Sequence, residues 1–278
     1  MGGMFYGCQN LRSINLSNFK TRKVTDMSYM FSNCHLLSEI DLSSFDTRNV
    51  TDMNSMFYSS FTFVYNLINL NLSSFDTRNV TKMDSMFSDC ENVSKIILPS
   101  TFYTKKVTDI CDMFMECKNL KELDLSSFDT INVTNMKNMF YRCRNLDSLD
   151  LSNFNTKNVT NMSDMFFCCV NLLSLDLSSF NIRKVTKMAS MFSGCSNLVS
   201  LDLSNFNAKN YIDTEYMFQS CYNLKDIILN NNLNNYLIRE QFKKDSIQNK
   251  KGNDGFGDHF YIICNKNNNH NQFMFING

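Results

Sequence analysis

The chain has no net charge, since 27 Lys and Arg balance 27 Asp and Glu, so no global field draws it to nucleic acid or an anionic membrane. It has no apolar run near the roughly 20 residues that a bilayer-spanning helix needs, so no membrane span is expected. Trp is absent and Pro occurs once. Its three histidines, His35, His259 and His270, are scattered, and no Ser-His-Asp order, phosphate loop or paired-carboxylate helix stands out. No Cys-x-x-Cys pair has a matching His, which removes the usual zinc spacing. The expectation is a non-enzymatic chain with no metal and no cofactor. Met1-Gly2-Gly3 runs straight into a repeated motif, without the basic region and apolar core of a secretion signal. Tyr6 stands where a myristoylation motif wants Ser or Thr. An intracellular chain, or one that starts inside a longer protein, is expected.

What the sequence does have is a period. Met-Phe occurs at Met4, Met30, Met56, Met86, Met113, Met139, Met165, Met191 and Met217, a spacing of 26 residues with one step of 30 and one of 27. Leu-Asp-Leu-Ser recurs around Asp124, Asp150, Asp176 and Asp202, with Ile-Asp-Leu-Ser around Asp41. A fixed period of this size marks a solenoid, whose coils bury their apolar faces only by stacking. Residues 1–229 are read as one elongated solenoid of about nine coils, and 230–278 as a C-terminal cap or a truncated further segment.

The stretch from Asn145 to Cys169 shows the unit. Leu149 and Leu151 alternate with Asp150, the period-two pattern of a short strand with one buried face. Ser152 and Asn153 turn the chain. Phe154 fills a slot shared with Phe19, Phe45, Phe75, Phe102, Phe128, Phe180 and Phe206, for which a stacked ladder is expected. Val159, Met162, Met165, Phe166 and Cys169 follow at spacings that put them on one face of a helix, with Thr160 as its N-cap. Asn171 closes the unit and is matched by Asn10, Asn66, Asn92, Asn119, Asn145, Asn197 and Asn223, an asparagine ladder at the turn. Eight of the eleven cysteines (Cys8, Cys34, Cys90, Cys117, Cys143, Cys169, Cys195 and Cys221) share one position and read as a core column of small, reduced thiols. Neighbouring Cys168 and Cys169 are expected in different environments, not paired. Asn-x-Ser/Thr matches at Asn15, Asn49, Asn71, Asn79, Asn132 and Asn158 are by-products of the repeat unless a eukaryote secretes the chain.

Taken together, the Leu-x-x-Leu-Asp-Leu-Ser-x-Phe strand, the Val-Thr-x-Met-x-x-Met-Phe-x-x-Cys stretch and the Asn-Leu turn resemble the BspA-like leucine-rich repeat family of surface proteins. The variant resembled is catalogued as a domain of unknown function in bacterial lipoproteins, some protists and large viruses. The likeness covers residues 1–229. It implies a curved leucine-rich-repeat solenoid with a parallel sheet along one side and a role in adhesion or protein binding, and it carries no catalytic residues. The signal and lipid-attachment Cys of that family have no counterpart here. The fold class expected is therefore an α/β repeat, a leucine-rich-repeat solenoid with one short parallel strand and one short helix per coil.

Three places break the pattern. Between Met56 and Leu72 the repeat gains four residues and Ser60 replaces the column Cys, with Phe61, Phe63, Val64 and Tyr65 nearby. This loop is either a partner contact or a bulge that tucks its rings over the core. In the next coil Pro99 and Ile97 replace the strand-end Ser and Asp. Past Leu229 the composition turns to Asn and Lys, with a helix expected at Tyr236–Lys244 and strands at Phe260–Cys264 and Gln272–Ile276.

The sharpest functional candidate is the outward row of the strands: Asp41, Asn71, Asp124, Asp150, Asp176 and Asp202, flanked by Ser126, Ser152, Ser178 and Ser204. Adjacent strands lie about 4.8 Å apart, so aspartates in consecutive coils repel unless something neutralises them. A concave acidic stripe that binds a protein partner is one reading; satisfaction of the row by Ser hydroxyls, backbone amides and water is the other. Protein binding is the function expected, and an intracellular scaffold without a dedicated ligand is its alternative.

Overall fold

The Met-Phe stretch decides the architecture. In the computed structural model, which describes residues 1–64, 66, 68–209, 211–230, 236–251, 260–265 and 271–276, this stretch is not a helix. Its backbone donors reach sideways into the next coil: Met162 N–H to Lys187 O at 2.8 Å, Asp164 to Ala189 at 2.9 Å, Phe166 to Met191 at 2.9 Å and Cys168 to Ser193 at 2.7 Å. The residues between them close tight turns within the coil, with Phe167 N–H on Asp164 O at 3.1 Å and Cys169 N–H on Phe166 O at 3.1 Å. Asp164 and Cys168 have φ of 58° and 54°, the left-handed conformation that a type II turn requires at its third position. Among the described residues every one of the nine stretches carries two such residues four apart, and fifteen of those eighteen are not glycine.

The expected helix in each coil is therefore corrected to a run of consecutive turns. Spacings of three, three and one place Met162, Met165 and Phe166 inward in either conformation, so the apolar pattern served both. Inter-coil bonding settles the choice, since an α-helix would return each N–H to the carbonyl four residues back. Thr160 is likewise not an N-cap: its N–H and Oγ1 both donate to Thr134 O in the preceding coil, at 2.8 and 3.2 Å.

Nine Met-Phe stretches bound about eight turns of a parallel-strand solenoid. On the opposite side of the coil, β1 (Ser13–Ile14) pairs with β2 (Glu39–Ile40), and β3 (Ile68–Asn71) with β4 (Val93–Ile97) and β5 (Glu122–Leu123). β6 (Ser200–Leu203) begins a third sheet with β7 (Asp226–Asn230). All pairings between successive coils are parallel. The coils at Leu149 and Leu175 run here without a ladder, and among the described residues no backbone hydrogen bond joins β2 to β3. The expectation of a strand in every repeat fails at those two coils. Side chains also join the coils here, as Ser44 Oγ does to Leu16 O beside the β1–β2 ladder: Asn153 Nδ2 donates to Leu125 O at 3.0 Å and Phe128 O at 2.7 Å, Ser179 Oγ to Leu151 O at 2.9 Å, and Asn205 Nδ2 to Leu177 O at 2.8 Å.

Columns of identical side chains fill the interior. Phe5, Phe31, Phe57, Phe87, Phe114, Phe140, Phe166, Phe192 and Phe218 form one continuous stack, with ring centroids 5.4–5.9 Å apart and planes within 3–13°. Of the ladder expected at the strand-end slot, the stacked part runs from Phe102 through Phe128 to Phe154, at 5.7 and 6.3 Å between centroids. Beside the main stack, the column thiols from Cys34 to Cys221 each donate to a Phe carbonyl of the preceding coil, as Cys143 does to Phe114 O at 3.0 Å and Cys169 to Phe140 O at 3.0 Å. Ser60, at the same position, donates its hydroxyl to Phe31 O. The thiols are thus weak donors as well as apolar fillers, and at Ser60 a hydroxyl makes the same bond.

Two further columns hold the coils in register. Thr130, fully buried, donates Oγ1 to Asn155 O at 3.2 Å and accepts Asn155 N–H at 2.7 Å. Thr21, Thr47, Thr104 and Thr156 repeat this two-way clasp. Asn49, Asn79, Asn132 and Asn158 each donate Nδ2 to a carbonyl of the preceding coil at 2.7–2.8 Å, which explains four of the Asn-x-Thr matches. The asparagine ladder at the turn is direct in the middle of the array, where Asn145 donates to Asn119 Oδ1 at 3.2 Å and Asn119 to Asn92 Oδ1 at 3.4 Å.

The last coil is covered by α1 (Tyr236–Lys251), with β8 (Phe260–Asn265) parallel to β7 and β9 (Asn271–Ile276) antiparallel to β8. Ile238 and Phe242 are buried, and the Phe242 ring meets Phe218 edge-on at 5.4 Å. The buried Asp245 carboxylate accepts Phe218 N–H at 2.9 Å and Gln241 Nε2 at 2.8 Å. In the preceding coil that same N–H, on Phe192, goes to Met217 O at 3.0 Å. Asp245 therefore stands where the carbonyl of a further coil would be.

Candidate functional site

Alternation along the Leu-Asp-Leu stretch sends Leu149 and Leu151 into the core and Asp150 outwards, and the same holds at Asp41, Asn71, Asp124, Asp176 and Asp202. Each of these side chains closes a small turn through Oδ1. It accepts the N–H two residues on, from Ser43, Ser73, Ser126, Ser152, Ser178 and Ser204, at 2.8–3.0 Å. Such Asx turns fix the carboxylate against the backbone. Hydrogen bonds from the following serine hold Asp41, Asp124, Asp150 and Asp176 below the ordinary carboxylate range, and neighbouring Asp150 pushes weakly back on Asp124 and Asp176. The serines of the row thus serve the aspartates through their amides and hydroxyls.

The insertion loop divides its aromatic residues. Phe61 is fully buried at φ 61°, with its ring 6.1 Å from Phe57. As a partner-contact candidate it is corrected: the ring extends the core stack, as the bulge reading had it. Phe63 is 65% exposed and leans on His35 at 5.1 Å between ring centroids. Tyr65 lies outside the described residues. His35 is held in place locally, with Nδ1 2.9 Å from both Ser59 O and Thr62 Oγ1.

Sequence reasoning passed over a trough at the break between β2 and β3. A cavity of about 580 Å³ opens there against Ile14, Ile40 and Ile68, rimmed by Asn15, Glu39, Asp41 and Asn69. A second, of about 250 Å³, shares Ser38, Glu39 and Ile68 with it and continues to Phe63, Val64 and Arg12. The signal was the step of 30 residues between Met56 and Met86, which displaces one strand from its neighbour.

Chemistry is sparse elsewhere. Among the described residues no cluster of three His, Cys, Asp or Glu side chains is placed to hold a metal ion. Among the described residues ten cysteines are free, with Cys168 half-buried and Cys169 buried, the two environments expected. Burial pushes the column thiols well up, Cys195 to about 12, so they remain protonated donors. Glu116 bridges to the next coil through Arg142 at 2.8 Å, and Lys118, 3.5 Å from Glu116 in the same coil, bridges to the preceding one through Glu91 at 2.8 Å. No helix of the described residues is long and apolar enough to cross a membrane.

Parallel strands, side-chain columns and a period near 26 residues define a repeat solenoid. Residues 1–97, 64–167 and 145–253 each match the family described as "Mycoplasma protein of unknown function, DUF285", and the chain belongs to that family. No curated protein and no solved structure matches the chain.

Proposed function

We propose that this chain is a non-enzymatic protein-binding repeat protein that presents its outward Asp/Ser row to a partner, in the manner of the BspA-like surface adhesion proteins it resembles. The observation that carries the reading is the row itself. Successive carboxylates are fixed on the outward face by Asx turns at Oδ1. A preorganised row loses little side-chain entropy on binding, and solenoid sheets offer extended surfaces. A partner bound by the native chain is expected to bind the double variant Asp150→Asn, Asp176→Asn more weakly and with a flatter salt dependence. Unchanged affinity at low and high salt removes the row from consideration.

The intracellular scaffold is the second reading. It is favoured by the structural duty each Oδ1 already performs. Surface protease shaving of intact native cells separates the two: released peptides support the adhesion reading, and protection until lysis supports the scaffold.

A further inference from the structure

The trough between the second and third coils does nothing for the repeat. Where β3 meets β4, Ile68 N–H reaches Asn92 O at 2.8 Å and Leu72 N–H reaches Ile97 O at 2.9 Å. β2 has no such bond to β3 among the described residues. Glu39 turns its N–H towards the first coil, onto Arg12 O at 3.3 Å. Backbone groups of adjacent strand residues point to opposite edges, so the N–H and C=O of Ile40 lie on the edge that faces the break.

Charge along this edge is also uncompensated. Glu39 has no ion-pair partner among the described residues, and Asp41, held by Ser43 N–H on Oδ1 at 2.9 Å, has no ion-pair partner among them either. Two coils further on, the same face carries a closed pair, Lys95 with Glu122 at 2.7 Å. Ile14, Ile40 and Ile68 give the trough an apolar floor, and exposed Phe63 stands at its far end.

We infer that this trough receives an extended, lysine- or arginine-bearing segment of a partner protein as a strand added along β2. The segment's backbone pairs with the open edge at Ile40, as in strand-addition complexes. Its alternate side chains divide between the isoleucine floor and the Glu39 and Asp41 carboxylates. An open strand edge is otherwise a liability for self-association, and the acidic rim repels an acidic or identical edge while accepting a basic one. The inference rests on the protein-binding reading but uses a surface separate from Asp150 and Asp176.

The test uses the full chain and a labelled synthetic peptide that alternates lysine and valine, followed by fluorescence anisotropy. Saturable binding is expected, with slower exchange of the Ile40 amide in the complex. Glu39→Lys with Asp41→Lys should weaken it by about tenfold or more, equivalent to about 1.4 kcal/mol. Asp150→Lys with Asp176→Lys should leave it unchanged. A glutamate-valine peptide should not bind, and the chain should sediment as a monomer. Loss of binding in the Asp150, Asp176 variant alone overturns the trough and leaves the row reading standing. Equal binding of the acidic peptide, absence of saturation, an Ile40 amide indifferent to the peptide, or a dimer that occludes β2 each overturns the inference. Because exchange at Ile40 is read on the native chain, the test survives a variant that fails to fold.

Discussion

The two sides of each coil are built on different principles. On the Met-Phe side, backbone bonds run from coil to coil through all nine stretches, over an unbroken stack of nine rings. On the Leu-Asp-Leu side the ladder breaks into three sheets, and Ser and Asn side chains hook the coils together where backbone bonds fail. A solenoid needs only one continuous side to fix its register. The other is then free to carry an insertion, an open edge and a row of charges. Rigidity and candidate recognition surface are thus separated across about one coil's width.

The largest break in that comparison is expected from the ring stack. Phe140→Ala removes a ring packed on both faces and should cost about 3–5 kcal/mol, whereas Leu175→Ala, on the interrupted side, should lie near the lower end of about 2–5 kcal/mol. Urea unfolding midpoints check the order, and a larger effect at Leu175 would move the structural weight to the strand side. Next comes the threonine clasp. Thr130→Val keeps the shape but orphans Asn155 N–H, an expected loss of about 1–3 kcal/mol. Cys143→Ser should be close to neutral by comparison, as the natural serine at position 60 indicates.

A smaller effect of opposite sign is expected at the left-handed turns. Ser190 has φ 56°, and Ser190→Gly relieves strain there; thermal unfolding should report a stabilisation of roughly 0.5–1 kcal/mol. Gly194→Ala works the other way, since φ is 75° and a Cβ would sit 2.6 Å from Cys168 Sγ.

Subtlest is the response to pH. Asp41, Asp124, Asp150 and Asp176 on the strand side have folded pKa values below their unfolded ones. Their contribution is present above the unfolded carboxylate range and is lost as pH falls through the folded values. Asp84, Asp89 and Asp164 on the Met-Phe side are pushed up by burial, so ionising them opposes folding and the penalty fades as pH falls. Carboxyl carbon titration by NMR should sort the two sets to opposite sides of the free-aspartate value. One common value would remove the electrostatic contrast between the sides.

Much of this was legible in the residues. The period of Met-Phe, the columns of Cys and Asn, the outward row and the terminal helix all follow from the residues, whereas the continuous ring stack runs through the Met-Phe phenylalanines and not the strand-end slot where a ladder was expected. What was not legible is the backbone of the Met-Phe stretch. Inward residues at three, three and one suit a helix turn and a double tight turn equally, and the usual signature of left-handed turns is glycine. Here Tyr29, Arg142 and Tyr216 adopt φ of 54–57°, so composition gave no sign of them. The threonine clasp was visible as a repeated letter, but nothing local distinguishes a buried Thr130 from an exposed one. At the outward row, the sequence showed which side chains share a face; the Asx turns that fix them needed coordinates.

Residue-resolved amide hydrogen exchange tests the central claim most directly. The account expects the amides of Asp112, Asn138, Phe140, Asp164 and Phe166 to exchange only through global unfolding, while those of Ile40, Leu149 and Leu175 exchange through local opening many times faster. Equal protection on the two sides, or protection of Met-Phe amides in the pattern of an isolated helix, would contradict it.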